Sequence, residues 1–303
     1  MPPPKGTPNP LEGPGDYDVT SVVHNDTYPA IDSAKANLSG KAVLITGASK
    51  GLGRAISVSF AKAGASMIAI GARSDLSTTI DEIKAAAEKV GKPEPKILAL
   101  KLDVADPKSV DDAAAQVKES FGRMDIVINN AGIFDVAKIL DTDPEKWWNI
   151  WRVNVMGPYN TTRSFLPLLF EGSNKTIVTL SSVGAHLVVP GVSAYQPSKL
   201  AVLRLSEFIS AEYGDKGIVA YCIHPGNIPT DMVAGILAPE VPEIRGAFVE
   251  TPELSADSLV YLTSERRDWL AGRYINVTWD LPELMEKKDE IVKGDKLKVR
   301  LVT

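Results

Sequence analysis

The sequence predicts an α/β fold in one domain, a doubly wound parallel sheet of about seven strands with helices on both faces. Three observations carry that expectation. Short apolar runs rich in β-branched residues recur along the chain, amphipathic stretches of helical length lie between them, and a glycine-rich turn follows the first run. Near-continuous apolar strands indicate a sheet buried on both faces, and helices between them indicate parallel crossovers.

The strand candidates are Ala42–Ile45, Met67–Ile70, Ile97–Leu102, Ile126–Ile128, Ile177–Leu180, Ile218–Ile223 and Tyr274–Val277. The helical candidates are Leu52–Ala63, Leu76–Val90, Lys108–Phe121, Pro144–Phe170, Gln196–Tyr213 and Pro252–Thr263. No internal repeat interrupts the series. Residues 1–38 stand apart: Pro2, Pro3, Pro4, Pro8, Pro10, Pro14 and Pro29 alternate with glycines without periodicity. Such a segment reads as a surface-draped arm, with Val22, Val23 and Tyr28 able to dock locally. Residues 39–280 then form the main domain. Within it, 229–251 carries Pro229, Gly235, Pro239 and Pro242 and reads as a lid over a substrate. Residues 281–303 are rich in Lys, Glu and Asp and read as a solvated tail.

Composition removes several function classes. Of 303 residues, 44% are hydrophobic and 23% charged, the balance of a globular protein. Lys and Arg number 33 against 38 Asp and Glu, a net charge of −5. A mildly acidic chain without a basic block is not expected to bind nucleic acid or an anionic membrane. No apolar stretch reaches the ~18 residues of a membrane span, and the N-terminus lacks a secretory core, so the cytoplasm is the expected location. The single cysteine, Cys222, lies in an apolar run and reads as a buried thiol. His24, His186 and His224 show no metal-ligand spacing, and no metal is expected.

The turn after the first strand reads Thr46-Gly47-Ala48-Ser49-Lys50-Gly51-Leu52-Gly53. Gly47 permits the tight turn, while Gly51 and Gly53 let backbone approach a pyrophosphate and a helix pack on its strand. Amides at that helix N-terminus then meet phosphate. This is the dinucleotide-binding, Rossmann-type arrangement. The spacing of the three glycines resembles that of the short-chain dehydrogenase/reductase family, and later motifs extend the resemblance. Asn129-Asn130-Ala131-Gly132 follows the fourth strand, Tyr195-Gln196-Pro197-Ser198-Lys199 matches the family's Tyr-x-x-x-Lys, and Ser182 lies 13 residues before the tyrosine. Asn154 stands 41 residues before it, and Pro225-Gly226 follows the sixth strand. The likeness covers roughly Leu38 to Thr278, and the long tail is similar to that of fungal members acting on small metabolites.

Charge at the adenosine end decides which nicotinamide cofactor is expected. An acid closing the second strand would bond the ribose and repel a 2′-phosphate. Here Gly71 holds that position, followed by Ala72-Arg73-Ser74, so Arg73 and Lys50 can clamp a 2′-phosphate with Ser74 as a further donor. NADP(H) is the expected cofactor. Asp103 and Val104 resemble the family's adenine-contacting pair, although an isolated Asp more often caps a helix. Gly47, Ser49, Lys50, Gly51, Leu52, Gly53, Asn130, Ala131 and Gly132 complete the cradle, and Pro225, Gly226, Ile228 and Thr230 resemble the nicotinamide-facing loop.

Tyr195 and Lys199 are four apart and share a helix face. An ammonium beside a phenol is expected to lower its pKa. The resemblance implies that Ser182 binds the carbonyl oxygen, Tyr195 delivers the proton, and Lys199 also meets the nicotinamide ribose. Proline at 158 has no N–H for the carbonyl of Asn154, so the helix should bend there and free an acceptor for a water, which the resemblance implies relays protons to Lys199. His224 and His186 read as strand-end and loop residues, and Trp147, Trp148 and Trp151 as packing aromatics. The implied activity is reduction of a ketone or aldehyde on a fairly bulky apolar small molecule, by a homo-oligomer (dimer or tetramer). An NAD-dependent alcohol dehydrogenase and a non-catalytic redox sensor are the rival readings, the latter disfavoured by the intact Ser182, Tyr195 and Lys199.

Overall fold

The computed structural model describes residues 16, 18–233 and 247–301. Its strands are β1 (Ala42–Thr46), β2 (Met67–Ala72), β3 (Lys96–Lys101), β4 (Ile126–Asn129), β5 (Thr176–Leu180), β6 (Val219–His224) and β7 (Tyr274–Asn276). They form one sheet in the order β3-β2-β1-β4-β5-β6-β7, every neighbouring pair parallel. The main helices are α1 (Gly51–Lys62), α2 (Ser77–Lys89), α3 (Pro107–Phe121), α4 (Pro144–Trp151), α5 (Gly157–Phe170), α6 (Tyr195–Tyr213) and α7 (Pro252–Ser264). The chain therefore adopts the doubly wound fold that its pattern predicts.

The strands feed two cores. Val43, Ile45, Ile68 and Ile70 meet α1, α2 and α7 through Ile56, Phe60, Ile83 and Leu259. On the opposite face, Leu44, Ala69, Val127 and Ile177 meet α3, α5 and α6 through Val110, Phe165 and Ile209. β1, β4, β5 and β6 are buried at every position, which is why their sequences are apolar runs rather than alternating ones. β3 departs from this because it is an edge: only Leu100 is fully buried, and Lys96 and Lys101 are exposed. Lysines on an edge discourage a further strand. At the N-terminal end of the sheet, Asp125 is wholly buried and accepts hydrogen bonds from the amides of Ala42 at 2.8 Å and Ser173 at 2.7 Å. Burial alone would push its carboxyl up, but these amides hold it below the usual range. It pins β1 and the lead-in to β5 onto β4.

The long helix expected over 144–170 is divided. Between α4 and α5, Arg152–Met156 forms a π-helical turn in which the amide of Gly157 reaches back to the carbonyl of Arg152. Pro158 lacks an N–H, so regular bonding cannot run through it, and the widened turn absorbs the break.

Both chain ends correct the sequence reading where they are described. Residues 1–15 and 17 of the arm, and 234–246 of the expected lid, lie outside the described residues. Residues 18–38 are not draped but packed: Ile31 and Leu38 belong to the main core. The tail forms α8 (Leu281–Glu286) and α9 (Lys288–Lys293), which bury Leu281, Leu284 and Ile291. Arm and tail hold each other. Ser21 donates through its amide and hydroxyl to Glu283, His24 pairs with Asp280 at 2.9 Å, and the amide of Leu281 donates to the hydroxyl of Tyr28 at 2.9 Å. Both segments also meet the β7 edge, where the amide of His24 donates to Thr278 and that of Tyr274 donates to Leu297.

The packing of Ile31 makes the arm part of the folded unit. Ile31→Ala is expected to lower unfolding free energy by ~2–5 kcal/mol, the range for emptying a buried aliphatic site, measured by urea denaturation. A loss below about 0.5 kcal/mol, the scale of a surface change, would mean that the arm is not cooperative with the sheet.

Candidate active site

Strand order reverses between β1 and β4, and in such sheets the crevice for ligands lies there, beyond the C-terminal strand ends. A cleft of about 740 Å³ opens at that point. It is lined by every residue that the sequence reading assigned to cofactor or catalysis except Asn154. That one lies behind the wall.

The glycine turn is shaped by its neighbours. Gly47 sits at φ +69°, and a Cβ there would come within 2.9 Å of Ala131 Cα. At Gly53 a Cβ would fall 2.2 Å from the carbonyl oxygen of Gly47. No side chain caps α1, so its first amides face the cleft. Asn130 fixes the turn from β4: its Nδ2 donates to the carbonyls of Thr46 at 2.8 Å and Gly47 at 3.2 Å. Thr46 Oγ1 accepts in return from the amides of Asn130 and Ala131. Thr79, which no motif would single out, donates to Ala48 from α2. Ser49, Lys50, Gly51 and Leu52 complete the rim. This cradle fits a dinucleotide pyrophosphate: close-approach backbone, free helix amides and a cation stand together.

At the adenosine end, Gly71 packs on Leu102, which a Cβ would approach to 2.5 Å. Beyond it, Arg73 and Ser74 line the mouth. Each cation expected to meet a 2′-phosphate also faces an acid: Arg73 lies 4.0 Å from Asp103, and Lys50 pairs with Asp231 at 3.0 Å. Asp103 accepts from the amide of Ala105, a local turn bond, while Val104 packs against Gly157.

The catalytic candidates gather at the other end. Ser182 leaves β5 in extended conformation, and its Oγ accepts from the amide of Gly184 at 3.0 Å. It also neighbours Tyr195 at the start of α6, where its hydroxyl favours the phenolate. The ring of Phe134 stands edge-on to Tyr195 with centroids 4.7 Å apart. Lys199, one turn on, lies 5.6 Å from the centre of the tyrosine ring and donates from Nζ to the carbonyl of Leu180 at 2.8 Å. Burial pushes the Tyr195 phenol up, against the Ser182 hydrogen bond, and pulls Lys199 down to about 8. The expectation of a lowered phenol is thus corrected: desolvation dominates at this site.

Asn154 acts one layer back. Its Oδ1 accepts from the amide of Ile133 at 2.9 Å, and its Nδ2 donates to Ile133's carbonyl and to Ser198 Oγ. It therefore clamps the loop following Gly132 to α6, from its place on the π turn. His224 closes the cleft floor, 2% exposed, its ring nitrogens without a hydrogen-bond partner among the described residues. Burial, with His186 adding to it, holds it down to about 3, so it is neutral. Facing Tyr195, the wall is apolar: Phe134, Val136, Leu187, Val189, Val192 and Phe248. The amide of Ala137 donates to Gly191, joining two of the loops that carry it. Pro225, Gly226, Ile228 and Thr230 cross from β6 toward the glycine turn, with Glu250 beneath them. Among the described residues no cluster could hold a metal ion, and no helix is long and apolar enough to cross a membrane.

Comparison with known proteins agrees with this geometry. Residues 41–240 match the family model described as short chain dehydrogenase. The short chain dehydrogenase pigC of Monascus ruber is 59% identical over 303 residues, all of both chains. The short chain dehydrogenase andI of Emericella variicolor is 40% identical over 285 residues, 94% of this chain and 96% of that one. Among solved structures, a dehydrogenase/reductase from Sinorhizobium meliloti 1021 superposes with a TM-score of 0.70 at 27% identity, covering 80% of this chain and 96% of its own. A short-chain type dehydrogenase/reductase from Mycobacterium marinum gives 0.68 at 29%, covering 82% and 97%.

Gly53→Ala tests the cradle. Its Cβ has no room beside the Gly47 carbonyl, so nicotinamide-dinucleotide affinity should fall at least about tenfold, the equivalent of one lost hydrogen bond to a charged group. Fluorescence titration with NADPH and NADH measures it, and unchanged affinity would show that phosphate binds elsewhere.

Proposed function

The chain belongs to the short chain dehydrogenase family, and from that premise we propose that it is an NADP(H)-dependent carbonyl reductase acting on a fairly bulky, uncharged ketone or aldehyde. The observation that carries the reading is the convergence of Ser182, Tyr195 and Lys199 at one end of a cleft whose other end is the glycine cradle with Arg73 and Lys50. A bound nicotinamide dinucleotide supplies the hydride. The protein's residues supply position and the proton.

In this reading Ser182, beside Tyr195, binds the substrate oxygen. Tyr195 is the general acid; burial keeps its proton on at neutral pH, the form that a donor needs. As the proton leaves, Lys199 provides a nearby cation for the phenolate, and its pKa of about 8 leaves it mostly charged at neutral pH. Asn154 holds the loop after Gly132 in place, and its carbonyl, which Pro158 cannot engage with an N–H, is assigned the proton-relay water. Phe134, Val136, Leu187, Val189 and Phe248 carry no charge, which supports an apolar substrate. Trp148, Met156 and Tyr159 on α4–α5 and Phe208 on α6 are large and at least two-fifths exposed, which supports association into a homo-oligomer.

The acids beside Arg73 and Lys50 favour a second reading, NAD dependence, because each offsets a charge that a 2′-phosphate would use. Arg73→Asp decides between them. If NADPH is preferred, the variant should shift the ratio of kcat/KM toward NADH by at least about tenfold, since like charge opposes the phosphate; a wild type that already prefers NADH refutes the NADP(H) assignment.

Tyr195→Phe should reduce carbonyl reduction by about 10²–10⁴, the worth of a positioned acid, with NADPH affinity within a few-fold. Absorbance of NADPH across a panel of ketones, quinones and aldehydes measures both. Retention of more than about a tenth of wild-type turnover is too much for a lost general acid and would remove Tyr195 from that role.

A further inference from the structure

Glu250 is a buried carboxylate that no motif accounts for. Only 3% of it is exposed, and it lies under the backbone that follows β6. Its Oε2 accepts the amide of Asn227 at 2.7 Å, and the neighbouring backbone amides of Val249 and of Glu250 itself favour the charged carboxyl group. Gly226, at φ +86°, rests directly on the side chain: a Cβ there would come within 2.9 Å of Glu250 Cβ and Cγ. Asn227 precedes the 229–251 segment and Val249 and Glu250 close it, so one carboxylate fastens both of its ends. The next residue extends the fastening. The amide of Thr251 donates to Asn25 at 3.0 Å, and its hydroxyl donates to Asp26 at 2.7 Å. Thr27, in turn, donates to Asp257 of α7.

A buried amide aimed at a side chain calls for an acceptor there. A carboxylate can accept on either oxygen, whereas a side-chain amide offers one acceptor and brings an N–H in place of the other. Burial pushes Glu250 up to about 7, with the amides opposing, so the arrangement is costly to the fold. An apolar residue would avoid that cost but would take the acceptor away from the buried Asn227 amide. What the carboxylate adds is a fixed backbone from Gly226 to Ile228.

We propose that Glu250 is a positioning residue for the nicotinamide half of the cofactor cleft, stapling Gly226–Ile228 in place and tied through Thr251 to Asn25 and Asp26 of the arm. The proposal rests on the reading of the cleft as a nicotinamide-dinucleotide site. Glu250 touches neither the glycine turn nor Arg73, so the adenosine half should bind independently of it.

The test compares two ligands on Glu250→Gln and Glu250→Ala by titration: the preferred dinucleotide, NADPH or NADH, and ADP-ribose, which lacks the nicotinamide. The expected result is at least about tenfold weaker dinucleotide binding, the loss of one charge-assisted bond, with ADP-ribose within about twofold. Glu250→Gln keeps the side-chain shape and carries the test should Glu250→Ala fail to fold. Thr251→Val should show the same split at smaller size. Equal weakening of both ligands would mean a merely structural acid, and unchanged dinucleotide affinity would remove the staple; either overturns the proposal. A wild type that binds no nicotinamide dinucleotide overturns the cofactor reading along with it, whereas wild-type binding with unaltered variants overturns the staple alone.

Discussion

A parallel sheet covered on both faces has nowhere to place chemistry except beyond the ends of its strands. That constraint organises the molecule. Val43 and Leu44, neighbours in β1, face separate cores, so neither side of the strand can carry a reactive group without disrupting packing. Polar residues accordingly collect where strands stop: Thr46, Asn129, Ser181, Ser182 and His224 at one end, Asp125 at the other. The reversal of strand order at β1 and β4 then parts the loops at the first of these ends and makes the cleft.

Within the cleft, rigidity comes from side chains that act on backbone. Asn130 holds the glycine turn, Asn154 holds Ile133, Lys199 reaches the carbonyl of Leu180, and Ser181 Oγ donates back to the carbonyl of Lys199. Each links the end of one strand to an element from elsewhere in the chain. The N-terminal end of α6 and the termini of β1, β4 and β5 are thereby set against one another before any ligand contributes.

The parts legible in sequence were those governed by period and by local backbone demands. Apolar runs such as Ile177–Leu180 could only be buried strands, and Gly47, Gly51 and Gly53 announce a turn that no other residue could make. Pro158 likewise foretold a break in its helix, though not that the break would take the form of a π turn. The arm escaped because Ile31 and Leu38 stand alone among prolines and polar residues, with no repeat to mark a face. The tail escaped because Leu281, Leu284 and Ile291 are spread over two short helices among charges. Glu250 could not be found from sequence at all: its role depends on Asn227 returning to it across a loop. The direction of the Tyr195 shift depends on depth of burial, which spacing does not report.

The outer side of β7 has a consequence for how copies of this chain could meet. In an open sheet the last strand normally offers bare amides and carbonyls to any neighbour. Here Leu297 takes the amide of Tyr274, and His24 and Val23 bond beside Trp279, so segments from the arm and the tail lie along that border. The opposite border, β3, carries exposed lysines. Sheet-to-sheet extension is discouraged at both margins, and growth past β7 would first require these arm and tail segments to peel away. Assembly is left to helix surfaces, whose side chains can select a partner by shape, rather than to backbone pairing, which accepts nearly any strand.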